Sequence, residues 1–154
     1  MQSIFTIGTR GMHDEPFLRL LHEHDVDAVI DVRLRNDGWR YGFASARHIH
    51  ELLDKQGIVY AHELRFAPTD EILLAYGTTG NWADYVAAFD KLIEGRNMAA
   101  VCKDRYADFR NPCLLCAEDT PAKCHRRLLA EYLSDEFGVP IIHLVRMRPT
   151  TCSP

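Results

Sequence analysis

Short apolar segments alternate with amphipathic segments along almost the whole chain, and this alternation restricts the fold more than any other feature. Short, near-continuous apolar runs are typical of strands that are buried on both faces. The amphipathic segments between them repeat their apolar residues at a helical spacing. We predict strands at residues 3–8, 27–32, 58–62, 113–117 and 140–145.

Capping residues predict where the helices between these strands begin and end. Thr120 followed by Pro121 is a typical helix start, and Gly138 ends the segment that follows. Residues 98–102 are compatible with an extension of the preceding helix or with a strand, and residues 104–112 resemble a loop. The other helices are predicted to begin near Asp14, Ser45, Thr69 and Asn81, with ends at Gly57 and Gly77.

Strands that alternate with helices form right-handed β-α-β crossovers, which give a parallel sheet covered on both faces. We therefore predict a single three-layer α/β/α domain over residues 1–146, with a mainly parallel sheet of about five strands and a flexible tail over 147–154. Its general layout is Rossmann-like or rhodanese-like. Ligands of such sheets bind beyond the carboxyl ends of the strands. The residues at those ends are Thr9, Arg10, Arg33, His62, Glu63 and the segment 118–126.

The composition is that of one globular domain. The chain has 154 residues, of which 47% are hydrophobic and 26% charged, as is usual for a domain with a buried core. No apolar run is long enough to cross a membrane, and the first residues lack the pattern of a secretion signal. We expect a cytoplasmic protein with reduced thiols and no membrane partner. The net charge of −4 provides no global field for a polyanion.

Three of the five cysteines fall in the segment CLLCAEDTPAKCHR at residues 113–126. Cys113, Cys116, Cys124 and His125 are all of types that bind zinc. A strand over 113–117 would point Cys113 and Cys116 to opposite faces, because side chains alternate along a strand. This geometry argues against a four-ligand zinc site and favours Cys113 as a core residue.

The residues that follow this strand have the composition of a thiol site. Cys116 ends the predicted strand, and the next predicted helix carries Cys124, His125 and Arg126 near its start. A helix N-terminus and neighbouring cations stabilise a thiolate, so either cysteine is a candidate for a lowered pKa. Glu118 adds a carboxylate as an acid–base group, a metal ligand or a partner of the helix dipole.

The ends of other predicted strands supply further candidates. His62 is a candidate base or metal ligand, with a hydrogen-bonded structural role as the alternative. Asp31 is equally consistent with catalysis and with an internal salt bridge to an arginine. Arg10 and Arg33 could clamp an anion jointly, and the alternative is that one of them pairs with Asp31.

Several segments resemble a known family. FTIGTR, VIDVR, GIVYAHE, GTTGNWADYVAAF and above all LLCAEDTPAKCHRRLLAEYL resemble the bacterial and archaeal domain of unknown function family number 488, over nearly the whole chain. The resemblance implies a small cytosolic α/β domain without a settled activity. Thr9 keeps the hydroxyl of the serine that many relatives carry. The positions that match the family motifs are Gly8, Asp31, Arg33, Tyr60, His62, Cys116, Glu118, Pro121, Cys124, His125 and Arg126.

A looser similarity connects the chain with rhodanese-like domains. Those domains also carry Asp-Val-Arg after an early strand, here residues 31–33, and a cysteine loop before a helix. Their active loop is compact, whereas the segment AEDTPAKCH lengthens it here. A shared sulfurtransferase mechanism is therefore only an analogy.

Three hypotheses about function remain open, and the first is an enzyme. Cys116 or Cys124 would supply a thiolate, and His125, His62 or Glu118 would carry protons. The substrate would be anionic, either nucleotide-like or a nucleic acid. The residues predicted to bind it are Thr9, Arg10, Asp31, Arg33, Tyr60 and Arg126.

The other two hypotheses involve no thiol catalysis. In one, Cys116, Cys124 and His125 bind a single transition-metal ion as cofactor or cargo. In the other, the protein is a non-catalytic module that binds nucleic acid through the arginine-rich and aromatic loop at residues 33–43.

Overall fold

Five parallel strands form the centre of the computed structural model, which describes residues 1–147. They are β1 (Ile4–Gly8), β2 (Ala28–Asp31), β3 (Val59–His62), β4 (Pro112–Cys116) and β5 (Ile141–Leu144). Their order in the sheet is β3-β2-β4-β1-β5. Each end lies within one residue of its predicted position. Residues 148–154, which include most of the predicted tail, lie outside the described residues.

Six α-helices connect the strands within residues 1–147: α1 (Asp14–Glu23), α2 (Ala46–Asp54), α3 (Asp70–Thr79), α4 (Trp82–Arg96), α5 (Met98–Tyr106) and α6 (His125–Phe137). Short 3-10 helices, Trp39–Ala44 and Leu64–Phe66, follow β2 and β3. Ser45, Thr69 and Asn81 cap α2, α3 and α4 as predicted, because each side chain accepts a backbone N–H from the first turn. Over the same residues, none of the helices has both the length and the apolar character needed to cross a bilayer.

The helices cover both faces of the sheet, which confirms the three-layer α/β/α prediction. Helices α1 and α2 pack on one face through Phe17 and Leu53. Helices α4, α5 and α6 pack on the other face through Phe89, Met98 and Leu129. These five side chains are fully buried, and burial of each stabilises the fold by about 1.5–3 kcal/mol.

The alternation of side chains along β4 separates its two cysteines. Cys113 packs in the core under α1 and α2, and Cys116 packs on the opposite face, towards α4 and α6. The prediction that they face opposite ways is confirmed. The interpretation of this segment as a four-ligand zinc site that includes Cys113 is therefore wrong.

The predicted start of the last helix is also wrong. Helix α6 begins at His125 with Cys124 as its N-cap, and not at Thr120 and Pro121. An irregular loop spans residues 117–124. The carbonyl oxygen of Glu118 in this loop accepts a hydrogen bond of 2.6 Å from Arg126 Nη1, and this tertiary contact outweighs the local helix-start pattern.

Two further boundaries differ from the predictions. Helix α3 continues past Gly77 and ends at Gly80, whose φ of +64° suits glycine in the left-handed region. Residues 98–106 form the separate helix α5, so the predicted loop over 104–112 begins only after Tyr106. Asn97, with a φ of +48°, ends α4 and caps α5 through its side chain.

The sheet order creates a crevice between β2 and β4. The chain leaves β2 towards β3 with α2 on one face, and it leaves β4 towards β5 with α6 on the other face. Neighbouring strands whose connections diverge leave a crevice at their carboxyl ends, where α/β sheets bind ligands. The residues after Asp31 and after Cys116 face each other across this crevice.

Candidate functional site

A cleft of about 320 Å³ opens at this crevice. Its walls come from the loop after β2, from α3 and α4, and from the loop between β4 and α6. The lining residues include the cations Arg33, Arg35 and Lys123, the aromatic residues Tyr41, Tyr76, Trp82 and Tyr85, and the group Cys116, Glu118, Cys124 and His125.

Cys116 is the last residue of β4, and its sulfur lies beside the Cys124 side chain and Nδ1 of His125. The Cys124 side chain contributes most to a lowered pKa of Cys116. Burial opposes the shift, whereas the backbone N–H groups of Ala117 and Glu118 and the charge of Arg126 reinforce it. Donors stabilise the charged form of a thiol, so these contacts hold the pKa of Cys116 below its usual value.

His125 is held in one orientation beside this sulfur. Its Nε2 lies 2.7 Å from the carbonyl oxygen of Val32, the residue after β2. A carbonyl only accepts hydrogen bonds, so Nε2 carries a proton and donates it. Nδ1 then faces the sulfur of Cys116 at 3.7 Å, where it can exchange a proton with that sulfur.

Cys124 differs from Cys116 in the charge state that it favours. It is the N-cap of α6, yet its side chain makes no capping hydrogen bond. Its thiol is turned instead to Cys116, and this contact together with burial raises the pKa of Cys124. The site thus combines a sulfur whose pKa is lowered with a sulfur whose pKa is raised.

The same three residues could hold a metal ion. The ligand atoms of Cys116, Cys124 and His125 all lie within 4.8 Å of one another. Two thiolates and an imidazole suit zinc, and the bond from His125 to the Val32 carbonyl is of the kind that orients metal-bound histidines. Since these residues line the cleft, a fourth position would be open to a ligand.

Strand β1 supports the loop that carries the backbone donors to Cys116. A Cβ atom at Gly8 would lie 1.6 Å from the carbonyl oxygen of Glu118, so only glycine fits there. Arg126, which is fully buried, donates to the same carbonyl and, through Nε, to Thr6 Oγ1 at 3.4 Å. Arg126 is not among the residues that line the cleft, and its predicted contact with substrate stays a prediction.

Asp31 lies at the centre of a closed hydrogen-bond network. Arg33 binds both of its carboxylate oxygens, through Nε at 2.9 Å and Nη2 at 2.7 Å. Tyr60 and Asn36 donate to Oδ2 at 2.7 and 3.0 Å, and Arg33 Nη1 reaches the carbonyl of Ala44. Burial would raise the pKa of Asp31, but the bonds and charge of Arg33 lower it. The salt-bridge interpretation of Asp31 is confirmed.

The remaining predicted site residues lie beside the cleft or at its margin. His62 Nε2 lies 2.7 Å from the carbonyl oxygen of Arg33 and outside the cleft lining. Thr9 and Arg10 line a neighbouring depression. Arg10 Nη1 also pairs with the Glu118 carboxylate at 3.4 Å, at the margin of the cleft. The roles of these residues in catalysis or binding stay predictions.

Sequence reasoning missed the aromatic wall of the cleft. The rings of Trp82 and Tyr85 stack with centroids 4.8 Å apart, and Tyr76 meets Tyr85 edge-on at 5.3 Å. The helical spacing of Trp82 and Tyr85 indicated core positions in α4, and that spacing alone does not show that the first turn of α4 reaches the cleft. Lys123 and Arg35 were missed as cleft cations.

The loop at residues 33–43 is only partly available as a nucleic-acid surface. Trp39 is 91% exposed. Phe43, by contrast, packs edge-on against Phe17 with ring centroids 5.4 Å apart, and Arg33 is bound to Asp31. Nucleic-acid binding through this loop stays a prediction.

Comparison with known proteins places the chain in a family. No curated protein and no solved structure gives a match. The family model described as "Domain of unknown function DUF488" matches residues 14–133. The matched range contains Cys116, Glu118, Cys124 and His125, together with the whole wall formed by α3 and α4. The chain therefore belongs to the DUF488 family.

Proposed function

We propose that the protein is an enzyme in which the thiolate of Cys116 attacks an anionic substrate bound in the cleft. One observation carries the proposal: Nδ1 of His125 faces the sulfur of Cys116 at 3.7 Å, and the Cys124 side chain, the backbone of Ala117 and Glu118 and the charge of Arg126 lower the pKa of this sulfur. A nucleophile stabilised as its anion next to a proton carrier is the usual arrangement of covalent catalysis.

The surrounding groups support an anionic substrate that carries a ring. Lys123 and Arg35 provide positive charge at the cleft, although Arg35 also pairs with the exposed Asp70. Trp82 and Tyr76 provide ring surfaces. This combination suits a nucleotide-like molecule, since rings stack on aromatic faces while cations hold a phosphate.

In the proposed reaction the Cys116 sulfur forms a bond to an electrophilic atom of the substrate. When Cys116 is a thiolate, Nδ1 of His125 holds the proton and Nε2 stays bonded to Val32. The departing group takes the proton from Nδ1, which leaves a neutral imidazole. Neutral His125 can then activate water, whose attack releases the product and restores the thiolate.

Selective alkylation tests the proposal. Iodoacetamide at neutral pH should modify Cys116 faster than the core cysteines Cys113 and Cys102. All three are buried, but Cys116 borders the cleft and has a lowered pKa, whereas burial raises the pKa of the other two. Cys116→Ser should abolish the fast phase while the melting temperature changes little. Cys113→Ser is the matched control and should keep the fast phase. If Cys116 in the wild-type protein reacts no faster than Cys113, the proposal is wrong.

Binding of a transition-metal ion is a second proposal, favoured by the three ligand atoms that lie within 4.8 Å of one another. The ion would be held by Cys116, Cys124 and His125, and a water or substrate would complete its coordination. Elemental analysis of protein purified without a chelator provides the test. Less than about a tenth of an equivalent of any transition metal would overturn this proposal.

A further inference from the structure

Cys116 and Cys124 are a pair of facing sulfurs. Their Sγ atoms lie within 4.8 Å of each other. The other cysteines that the structure describes are elsewhere: Cys102 lies on α5 and Cys113 lies on the opposite face of the sheet. Among residues 1–147, only Cys116 and Cys124 are placed together at the cleft.

The backbone around the two sulfurs would allow them to approach each other. A disulfide requires about 2.05 Å between the sulfur atoms. Cys116 is fixed because β4 lies between β1 and β2. Cys124 joins the irregular loop 117–124 to α6, and its side chain is not used as a helix cap. Rotation of the Cys124 side chain, with an adjustment of this loop, would close the gap without disturbing the sheet.

We propose that Cys116 and Cys124 are a redox pair that reduces a hydroperoxide and is converted into an intramolecular disulfide. The inference rests on the proposed role of Cys116 as the nucleophile. It adds a resolving role for Cys124, a co-substrate class and a second chemical state of the site. Both residues line the cleft, so a small hydroperoxide can approach them from solvent.

In the first step the Cys116 thiolate attacks the terminal oxygen of the hydroperoxide. A sulfur–oxygen bond forms and the oxygen–oxygen bond breaks, which leaves a sulfenic acid on Cys116 and an alkoxide or hydroxide as the departing group. That group takes the proton from Nδ1 of His125, 3.7 Å from the sulfur, and leaves as an alcohol or as water.

In the second step the sulfur of Cys124 attacks the sulfur of Cys116. The sulfur–sulfur bond forms, the sulfur–oxygen bond breaks, and the departing hydroxide takes the thiol proton of Cys124 and leaves as water. The two thiols together lose two electrons and two protons, which reduce one hydroperoxide. A dithiol reductant in solution then restores both thiols by disulfide exchange.

The test uses the full chain with Cys152→Ser as background, because Cys152 lies outside the described residues and could form disulfides between molecules. The protein is first treated with a chelator, and its metal content is measured. One equivalent of hydrogen peroxide is added to this protein and to its Cys116→Ser, Cys124→Ser and Cys102→Ser variants. Intact-mass and peptide mass spectrometry, with dimedone as the sulfenic-acid trap, identify the products.

If Cys116 and Cys124 form a redox pair, the variants should differ in their products. The background protein and the Cys102→Ser control should lose two hydrogen atoms and give a peptide that links Cys116 to Cys124. Cys124→Ser should accumulate a sulfenic acid on Cys116 that dimedone traps, and Cys116→Ser should show neither product. Dithiothreitol should reverse the link.

Other outcomes would overturn the redox pair. These are a Cys116 that proceeds to sulfinic acid without forming the link, a link to another cysteine, or no reaction with peroxide. Iodoacetamide then separates the two proposals. If Cys116 still alkylates rapidly, the nucleophile stands and only the redox pair is wrong, whereas slow alkylation would remove both.

Discussion

The Asp31 carboxylate at the end of β2 and the Cys116 sulfur at the end of β4 are both buried, but they differ in the groups that surround them. At the end of β2, the Asp31 carboxylate is bound by Arg33, Tyr60 and Asn36. At the end of β4, the Cys116 sulfur lies beside a thiol, an imidazole nitrogen and the cleft.

The two sites differ in whether their groups can exchange protons near neutral pH. A guanidinium keeps its protons at any ordinary pH, so the Asp31 network is locked and fixes the course of the loop after β2. A thiol and an imidazole exchange protons near neutral pH, so the charge at Cys116 can move. Both arrangements lower the pKa of a buried acid, and under the proposed function the second takes part in the reaction.

The largest loss of stability should follow from a substitution that breaks the hydrogen-bond network around Asp31. Asp31→Asn leaves the Arg33 guanidinium buried without its counter-charge, and we expect a loss of about 3–5 kcal/mol in the free energy of unfolding. Urea denaturation measures the loss. Glu15→Gln is the control, since its pair with Arg19 is exposed and should contribute less than about 1 kcal/mol. Equal losses in both variants would contradict the comparison.

Gly8→Ala should lower both the free energy of unfolding and the reactivity of Cys116. The added Cβ would meet the carbonyl oxygen of Glu118, and we expect a loss of about 1–3 kcal/mol together with slower alkylation of Cys116. Gly77→Ala in α3 is the matched control. Its Cβ would meet nothing within 4 Å, and the change should stabilise the helix by up to about 1 kcal/mol. Unchanged alkylation in Gly8→Ala would show that the loop does not control the thiolate.

Substitution of each β4 cysteine by serine, one at a time, allows the two faces of this strand to be compared. Cys113→Ser buries a hydroxyl in an apolar core and should cost about 1–3 kcal/mol. Cys116→Ser should cost about 1 kcal/mol or less, since a hydroxyl can accept the same hydrogen bonds. Thermal and urea unfolding of the two variants give the comparison. A larger loss at Cys116 than at Cys113 would assign a structural role to Cys116.

The pH dependence should give the smallest effect on stability. The pKa of Cys116 is lower in the folded state than in the unfolded state. Its contribution to stability is therefore complete above the unfolded value of about 8.5 and is lost as the pH falls through the folded value. The difference in unfolding free energy between the wild type and Cys116→Ser should grow as the pH rises through this window. Urea titrations across that range measure it, and a constant difference would refute the lowered pKa.

The sequence predicted the sheet and the separation of its cysteines well. Strand positions follow from apolar runs, and the opposite facing of Cys113 and Cys116 follows from the spacing along a strand. The start of α6 could not be predicted, because Thr120 and Pro121 carry a local signal that the contact between Arg126 and the Glu118 carbonyl overrides. Such contacts join residues that local patterns do not connect.

The positions of the candidate site residues could be predicted only in part. The residues at strand ends could be found because topology places them together, and Cys116, Cys124 and His125 do converge. The choice between a salt bridge and catalysis for Asp31 required the position of the Arg33 side chain. The aromatic wall required the packing of α3 against α4, which brings Tyr76 to Tyr85.

The hydrogen bond from His125 to Val32 joins residues 93 positions apart in the chain. Val32 belongs to the amino-terminal half of the molecule, and Cys116 belongs to the carboxyl-terminal half. A chain that has folded only in part therefore lacks this orientation of His125. His125 faces the Cys116 sulfur only when the two halves have docked, and the amplitude of the fast alkylation phase expected for Cys116 should report the fraction of molecules that have completed this step.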